Sequence, residues 1–120
     1  MKDIRVKQII SYGIKYGLLL NGEDNDDICV IDIRPYFPRN PYYDRALRYL
    51  RGTDREVQKD IQKTSDFDFH LQKLIEKVKN LSCEILFLGC TAGHHRSVYI
   101  AILIGEALGV PVYHRDIDKK

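Results

Sequence analysis

The stretch from Glu84 to Asp116 constrains the fold more than any other part of the chain. Its first seven residues, EILFLGC (84–90), are almost wholly apolar, and the next six, TAGHHR, are small or polar. SVYIAILIGEALG (97–109) is then apolar at helical spacing, and VPVYHRD (110–116) returns to an extended pattern. A strand with one wet face would show a polar residue at every second position, so the first run predicts a buried strand. The helix is expected to stop at Gly109 and to feed a short strand with Pro111 near its start. Strand, crossover helix, strand is the parallel unit, right-handed by default.

Upstream segments extend this pattern. IRVKQIIS (4–11) and ICVIDI (28–33) predict two more strands, the second covered on both faces, with NGEDNDD (21–27) as a solvated turn between them. Three prolines within RPYFPRNP (34–41) exclude a regular element and predict an ordered surface loop. In YYDRALRYL (42–50), Tyr43, Ala46, Leu47 and Leu50 fall on one helical stripe, with Gly52 as a stop. A longer helix is predicted over 65–80 from the spacing of Phe67, Leu71, Leu74, Ile75 and Val78, with Ser65 as N-cap. His70 on that helix reads as a partly exposed residue, and no second ligand lies at metal spacing. The expected architecture is a single three-layer α/β domain over residues 1–120, a small, mostly parallel sheet of about four strands flanked by helices.

Charge and cysteine usage exclude several classes. With 19 basic and 17 acidic residues, the net charge of +2 does not advertise a nucleic-acid partner, so any RNA contact needs a local patch. The segment MKDIRVKQII lacks a signal peptide's apolar core, and Glu106 interrupts the longest apolar segment, so no membrane span is expected. Cys29, Cys83 and Cys90 form no even disulfide framework, which predicts free thiols in the cytoplasm. Neither metal nor cofactor is expected.

The loop LGCTAGHHRS (88–97) joins the buried strand to its helix, where parallel sheets collect ligands. A helix N-terminus offers unpaired N–H groups and a partial positive charge to a phosphate or carboxylate. Gly93 permits a tight turn, Thr91 and Ser97 can donate hydroxyls, and Arg96 supplies a planar, bidentate clamp. His94 and His95 would add charge if protonated, raising affinity for a phosphorylated ligand as pH falls. The same spacing, Cys-x5-Arg followed by Ser, is that of phosphatase loops, in which Cys90 would attack phosphorus and Arg96 would clamp the oxygens. Asp32 or Asp116 would then be the general acid. Alternatively Cys90 is a small buried residue that ends a strand.

A longer context bears on that choice. CTAGHHRSVYIA resembles the CTGGxHRSV signature of the C-terminal domain of the RapZ/YvcJ family, the RNase adapter proteins. In the same order, SYGIKYG (11–17) resembles SFGFKYG, IDIRPYFPRNP (31–41) resembles DVRFLPNP, LRYLRGTD (47–54) resembles LRPLTGLD, and HRD (114–116) resembles a terminal motif. The resemblance implies a domain that follows a P-loop unit in full-length members and that, in enterobacterial adapters, binds glucosamine-6-phosphate and small regulatory RNAs. No G-x-x-x-x-G-K-[ST] occurs here, so ATP binding is not expected and the chain reads as a solitary module.

Carried across by position, the family's pocket implies Asp32 and Arg34 from the IDIR strand end, and Thr91, Gly93, His95 and Arg96 from the loop. Lys63 is a weaker candidate, and the neighbouring Cys90, Ala92, His94 and Ser97 complete the expected ligand-binding set. Asp32 would accept from a sugar hydroxyl or amine; Arg34 either touches ligand or pairs with Asp32 or Asp116. His114 and Arg115 either line the crevice or form a solvated tail. Ala92 stands where the signature has glycine, and Tyr42 where enterobacterial members have histidine. Tyrosines interleave with Lys15, Arg34, Arg39 and Arg45; base stacking is one reading, and rings filling a core's rim is the preferred one. The function expected is a regulatory module that binds a phosphorylated small molecule resembling an amino-sugar phosphate, or another anion such as sulfate. RNA or protein partners and homo-oligomers are expectations of the same kind, with a cysteine phosphatase as the alternative.

Overall fold

The computed structural model describes residues 3–18 and 27–119. Four strands, β1 (Gln8–Gly13), β2 (Ile28–Asp32), β3 (Ile85–Cys90) and β4 (Val112–His114), form one parallel sheet in the order β2-β3-β1-β4. Helices α1 (Arg55–Gln62) and α2 (Phe67–Lys79) connect β2 to β3, and α3 (Arg96–Leu108) connects β3 to β4. Single 3-10 turns occupy Ile14–Tyr16 and Pro41–Tyr43. The α/β class and the crossover unit of residues 84–116 are as the sequence predicts. Register places Gly13 beside Cys90 and Asp32 beside Gly89, so the carboxyl ends of the three longer strands lie side by side.

Burial explains why these segments pack as they do. Ile9, Ile31, Leu86 and Leu88 point to one face of the sheet, where they meet Val57 and Ile61 of α1, Leu71, Leu74 and Val78 of α2, and Ile100 and Ile104 of α3. The alternate positions behave differently. Tyr12 and Phe87 meet edge to face at 5.9 Å and are buried, but Val30 is 47% and Tyr113 56% exposed. Cover on both faces of β2, inferred from its unbroken apolar run, is therefore corrected: an edge strand leaves Val30 in solvent.

Other local expectations change for identifiable reasons. Residues 44–50 are turns, not a helix, because the Asp44 carboxylate accepts from the Ala46 N–H and holds a tight local turn that competes with helix. Of the expected stripe only Leu47 is buried, while Tyr43 is 80% exposed. Helix α1 was not anticipated, since only Val57 and Ile61 mark its inner face. The N-cap of α2 is Asp66 in the left-handed region (φ 57°), not Ser65. Cys29 and Cys83 form a disulfide, which corrects the expectation of three free thiols, and Cys90 is the free cysteine. Except for Asp27, the acidic turn at 21–27 lies outside the described residues.

The proline loop is ordered by one plug. Phe37 is fully buried, its ring 5.4 Å from that of Phe67, and its N–H donates to the Ile33 carbonyl. Beyond it, Arg39 pairs with the buried Asp60 of α1 at 3.0 Å, and the Asn40 side chain accepts from the Tyr42 N–H. Replacing Phe37 with Ala is expected to lower stability by about 3–5 kcal/mol, read from a denaturant midpoint, because the cavity lies in a packed core.

Candidate functional site

Cys90 ends β3, His95 occupies the N-cap position of α3, and the five residues 91–95 between strand and helix press against the end of β1. Gly93 has φ 75°, and a Cβ there would sit 2.5 Å from the Gly13 nitrogen; a Cβ on Gly13 would meet the Ala92 carbonyl carbon at 2.5 Å. Two backbones thus touch where only hydrogen fits. The loop's carbonyls face outward to neighbours: Thr91 accepts from the Lys15 N–H, and His94 from the Gly52 N–H. Among the described residues, no acceptor is found for the N–H groups of residues 92–96.

Arg96 is only 4% exposed. Its Nη1 donates to the Phe37 carbonyl at 3.1 Å and its Nη2 weakly to the Thr91 hydroxyl at 3.4 Å, while Nε has no partner. The Cys90 thiol donates to the Ser97 hydroxyl at 3.1 Å, and that hydroxyl in turn donates to the Tyr12 carbonyl. His95 Nε2 lies 2.8 Å from the Leu50 carbonyl; a carbonyl only accepts, so this nitrogen carries the proton.

A cleft of about 660 Å³ opens over this loop. Cys90, Thr91, Ala92, His94, His95 and Arg96 form one wall; Lys15, Asn40, Tyr42, Tyr43, Arg48, Tyr49 and Arg51 form the other. Among the described residues, no carboxylate lines it. Nor, among the described residues, does any acid pair with Lys15, Arg48, Arg51 or Arg96. Arg51 is held by the carbonyls of Tyr49, Leu50 and Ile117, and Arg48 lies over the Tyr42 ring at 4.6 Å.

The model of the RapZ C-terminal domain matches residues 5–118. The chain belongs to this family. It is 34% identical to a nucleotide-binding protein of Bacillus licheniformis, covering 93% of this chain and 40% of the relative. A nucleotide-binding protein of Magnetococcus marinus is 39% identical over 92% of this chain and 38% of its own length. One from Pseudothermotoga lettingae is 38% identical, with 95% and 43% covered. The chain therefore spans about two fifths of the length of the curated relatives it matches. No helix among the described residues is long and apolar enough to cross a membrane.

Within this RapZ C-terminal domain, the residues singled out from sequence divide into groups. Six of them line the cleft, as given above. Gly93 and Ser97 lie behind it, one shaping the turn and the other fastening α3 to β1. Asp32 and Arg34 pair with each other, Arg34 Nη2 to Asp32 Oδ2 at 2.8 Å, at the neighbouring strand end rather than in the lining. The hydrogen bonds from Arg34 hold the Asp32 carboxyl below its ordinary pKa. Lys63 is exposed at the C-cap of α1 and outside the lining. His114 shares a 2.6 Å hydrogen bond with Ser11, and Arg115 binds Asp116 and the Gly17 carbonyl, so both are fixed rather than a loose tail. The second wall was read from sequence only in part: Lys15 and the tyrosines at 42 and 43 were weighed for base stacking, with a core's rim preferred, and Arg48, Tyr49 and Arg51 were not singled out. Its signal was present in the tyrosines interleaved with arginines at 42–51, but a residue such as Tyr49, 81% exposed, does not fill a core's rim.

Burial lowers the pKa values of His94, His95 and His114 from the ordinary 6.5, with nearby Arg51 adding to the effect on His94 and His95. Each therefore binds its proton more weakly in the folded state, and the unfolded chain takes up protons first as pH drops. Melting temperature is expected to decline as pH falls through about 6.5, with a shallower slope in His94→Asn. A second expectation concerns the backbone contact. Gly93→Ala combines positive φ with a clash against main chain, and should lose more than about 1 kcal/mol of stability by denaturant titration.

Proposed function

We propose that this domain is a regulatory binding module that holds a phosphorylated small molecule, or a comparable anion, in the cleft at the end of β3. One observation carries the reading: the buried guanidinium of Arg96, its Nε without a partner, belongs to a cleft lining in which the described residues supply cations and no carboxylate. Taking a charge out of water without a counterion is expensive, and an anion seated there would relieve that cost. The unpaired N–H groups at the start of α3 favour the same occupant. Inorganic phosphate is the simplest probe, and an amino-sugar phosphate the ligand implied by the family resemblance. A cytoplasmic setting belongs to this proposal and rests on its regulatory character, because the disulfide removes the argument from free thiols.

The cysteine phosphatase fits these observations less well. Cys90 is 3% exposed and uses its sulfur as a donor to Ser97, whereas a nucleophile must reach phosphorus as a thiolate. Asp32, held ionised by Arg34, is poorly suited to protonating a leaving group.

Adding phosphate at constant ionic strength is expected to raise the melting temperature, with stabilisation of about 2.7 kcal/mol at one hundred times the Kd. Lys15→Ala should weaken phosphate binding several-fold, and Arg96→Met should abolish the shift. A shift equally large in Arg96→Met and wild type would refute the site.

A further inference from the structure

The cleft's second wall contains more aromatic surface than a phosphate group requires. Tyr42, Tyr43 and Tyr49 are 50%, 80% and 81% exposed, and all three line the same cleft as the phosphate-seeking loop. Rings left in water on an ordered segment contribute little to the fold. The segments that carry these rings are also held in place. Asn40 caps the turn that carries Tyr42 and Tyr43, Pro41 is buried beneath it, and Tyr42 meets Tyr43 edge to face at 5.9 Å. Tyr49 is held from both sides: its own carbonyl accepts from Arg51, and the next carbonyl, that of Leu50, accepts from His95. Through His95 the wall is thus tied to the strand-to-helix loop.

Electrostatics narrow the choice of what the rings receive. An amino sugar carries an ammonium group, which needs carboxylates or carbonyls, but among the described residues the lining offers Lys15, Arg48, Arg51 and Arg96 and no carboxylate. Asp32, the one acid near the strand ends that was expected to take that role, is occupied by Arg34 through both oxygens. A neutral, planar ring meets no such conflict, because it stacks on tyrosine or on an arginine plane. Asn40 accepts through Oδ1 from Tyr42, which leaves its amide N–H2 free to donate to a ring acceptor.

We infer that the cleft takes a nucleoside monophosphate, its phosphate at the Thr91 to Arg96 loop and its base against the tyrosine wall. This inference rests on the anion site proposed above and names the chemical class of what the phosphate carries. The cleft volume of about 660 Å³ leaves room for a base and ribose beyond the phosphate.

Calorimetric titration of the protein with inorganic phosphate, ribose-5-phosphate, glucosamine-6-phosphate, AMP and UMP, at one ionic strength, tests it. AMP or UMP should bind about tenfold or more tightly than ribose-5-phosphate, the size of one base–aromatic stack. In the Tyr43→Ala/Tyr49→Ala variant, both positions being exposed and outside the core, that advantage should shrink to about twofold. Equal affinities for all the phosphates would overturn the inference and leave the anion site standing, as would preference for glucosamine-6-phosphate. Tight binding of a short oligoribonucleotide with mononucleotides no better than ribose-5-phosphate would overturn it in favour of an RNA surface. No binding of any phosphate, inorganic phosphate included, would remove both the inference and the site beneath it.

Discussion

The side of the molecule that carries the cleft is organised by the burial of one guanidinium. Arg96 is the first residue of α3, yet it reaches the Phe37 carbonyl in the proline loop and the Thr91 hydroxyl at the end of β3. It therefore joins segments whose positions the sheet alone does not fix. Burial lowers its pKa, though a guanidinium stays charged at neutral pH. A charge so placed, with two of its nitrogens satisfied and the third buried without a partner, carries a desolvation cost that the proposed anion would relieve.

Around that charge, rigidity comes from uncharged contacts. The approach of Gly13 to residues 92–93 sets the height of the loop over β1. Phe37 plugs the proline loop into the core, and the segment that follows it carries Asn40 and the tyrosines. His95, whose pKa is lowered by burial, fastens the Leu50 carbonyl and so holds the far end of the second wall. Loops supply the cleft lining, but each is pinned by a core ring, a backbone contact or a buried hydrogen bond.

What the sequence disclosed follows the range over which its causes act. The run from Glu84 to Asp116 codes for strand, loop, helix and strand through local patterning, and α3 begins within one residue of its expected start. Gly109, at φ 67°, ends it as glycine chemistry requires. Where competing local bonds decide, the pattern misleads: residues 42–50 have a helical stripe, but Pro41 and the Asp44 carboxylate fix turns instead. Helix α1 has eight residues and two inward aliphatics, too few for periodicity to register. The Cys29–Cys83 disulfide depends on β2 lying beside β3, with Cys29 opposite Leu86, which no cysteine count contains. The strand-to-helix loop was legible because its residues are contiguous, whereas the rest of the cleft lining is assembled from residue 15 and residues within 40–51.

The loop also illustrates why a spacing is weaker evidence than the direction of a hydrogen bond. Cys-x5-Arg-Ser brings a sulfur, a guanidinium and a hydroxyl to one strand end whether the purpose is attack or capture. In a nucleophile loop the hydroxyl and the helix start would stabilise a thiolate, and the sulfur would accept. Here Ser97 already donates to the Tyr12 carbonyl, so it can only receive from Cys90, and the sulfur becomes a donor within the core. That carbonyl belongs to β1, the strand whose Gly13 abuts the loop. The strand that abuts the loop therefore also engages its cysteine in packing, and this supports the proposed binding reading over the phosphatase alternative.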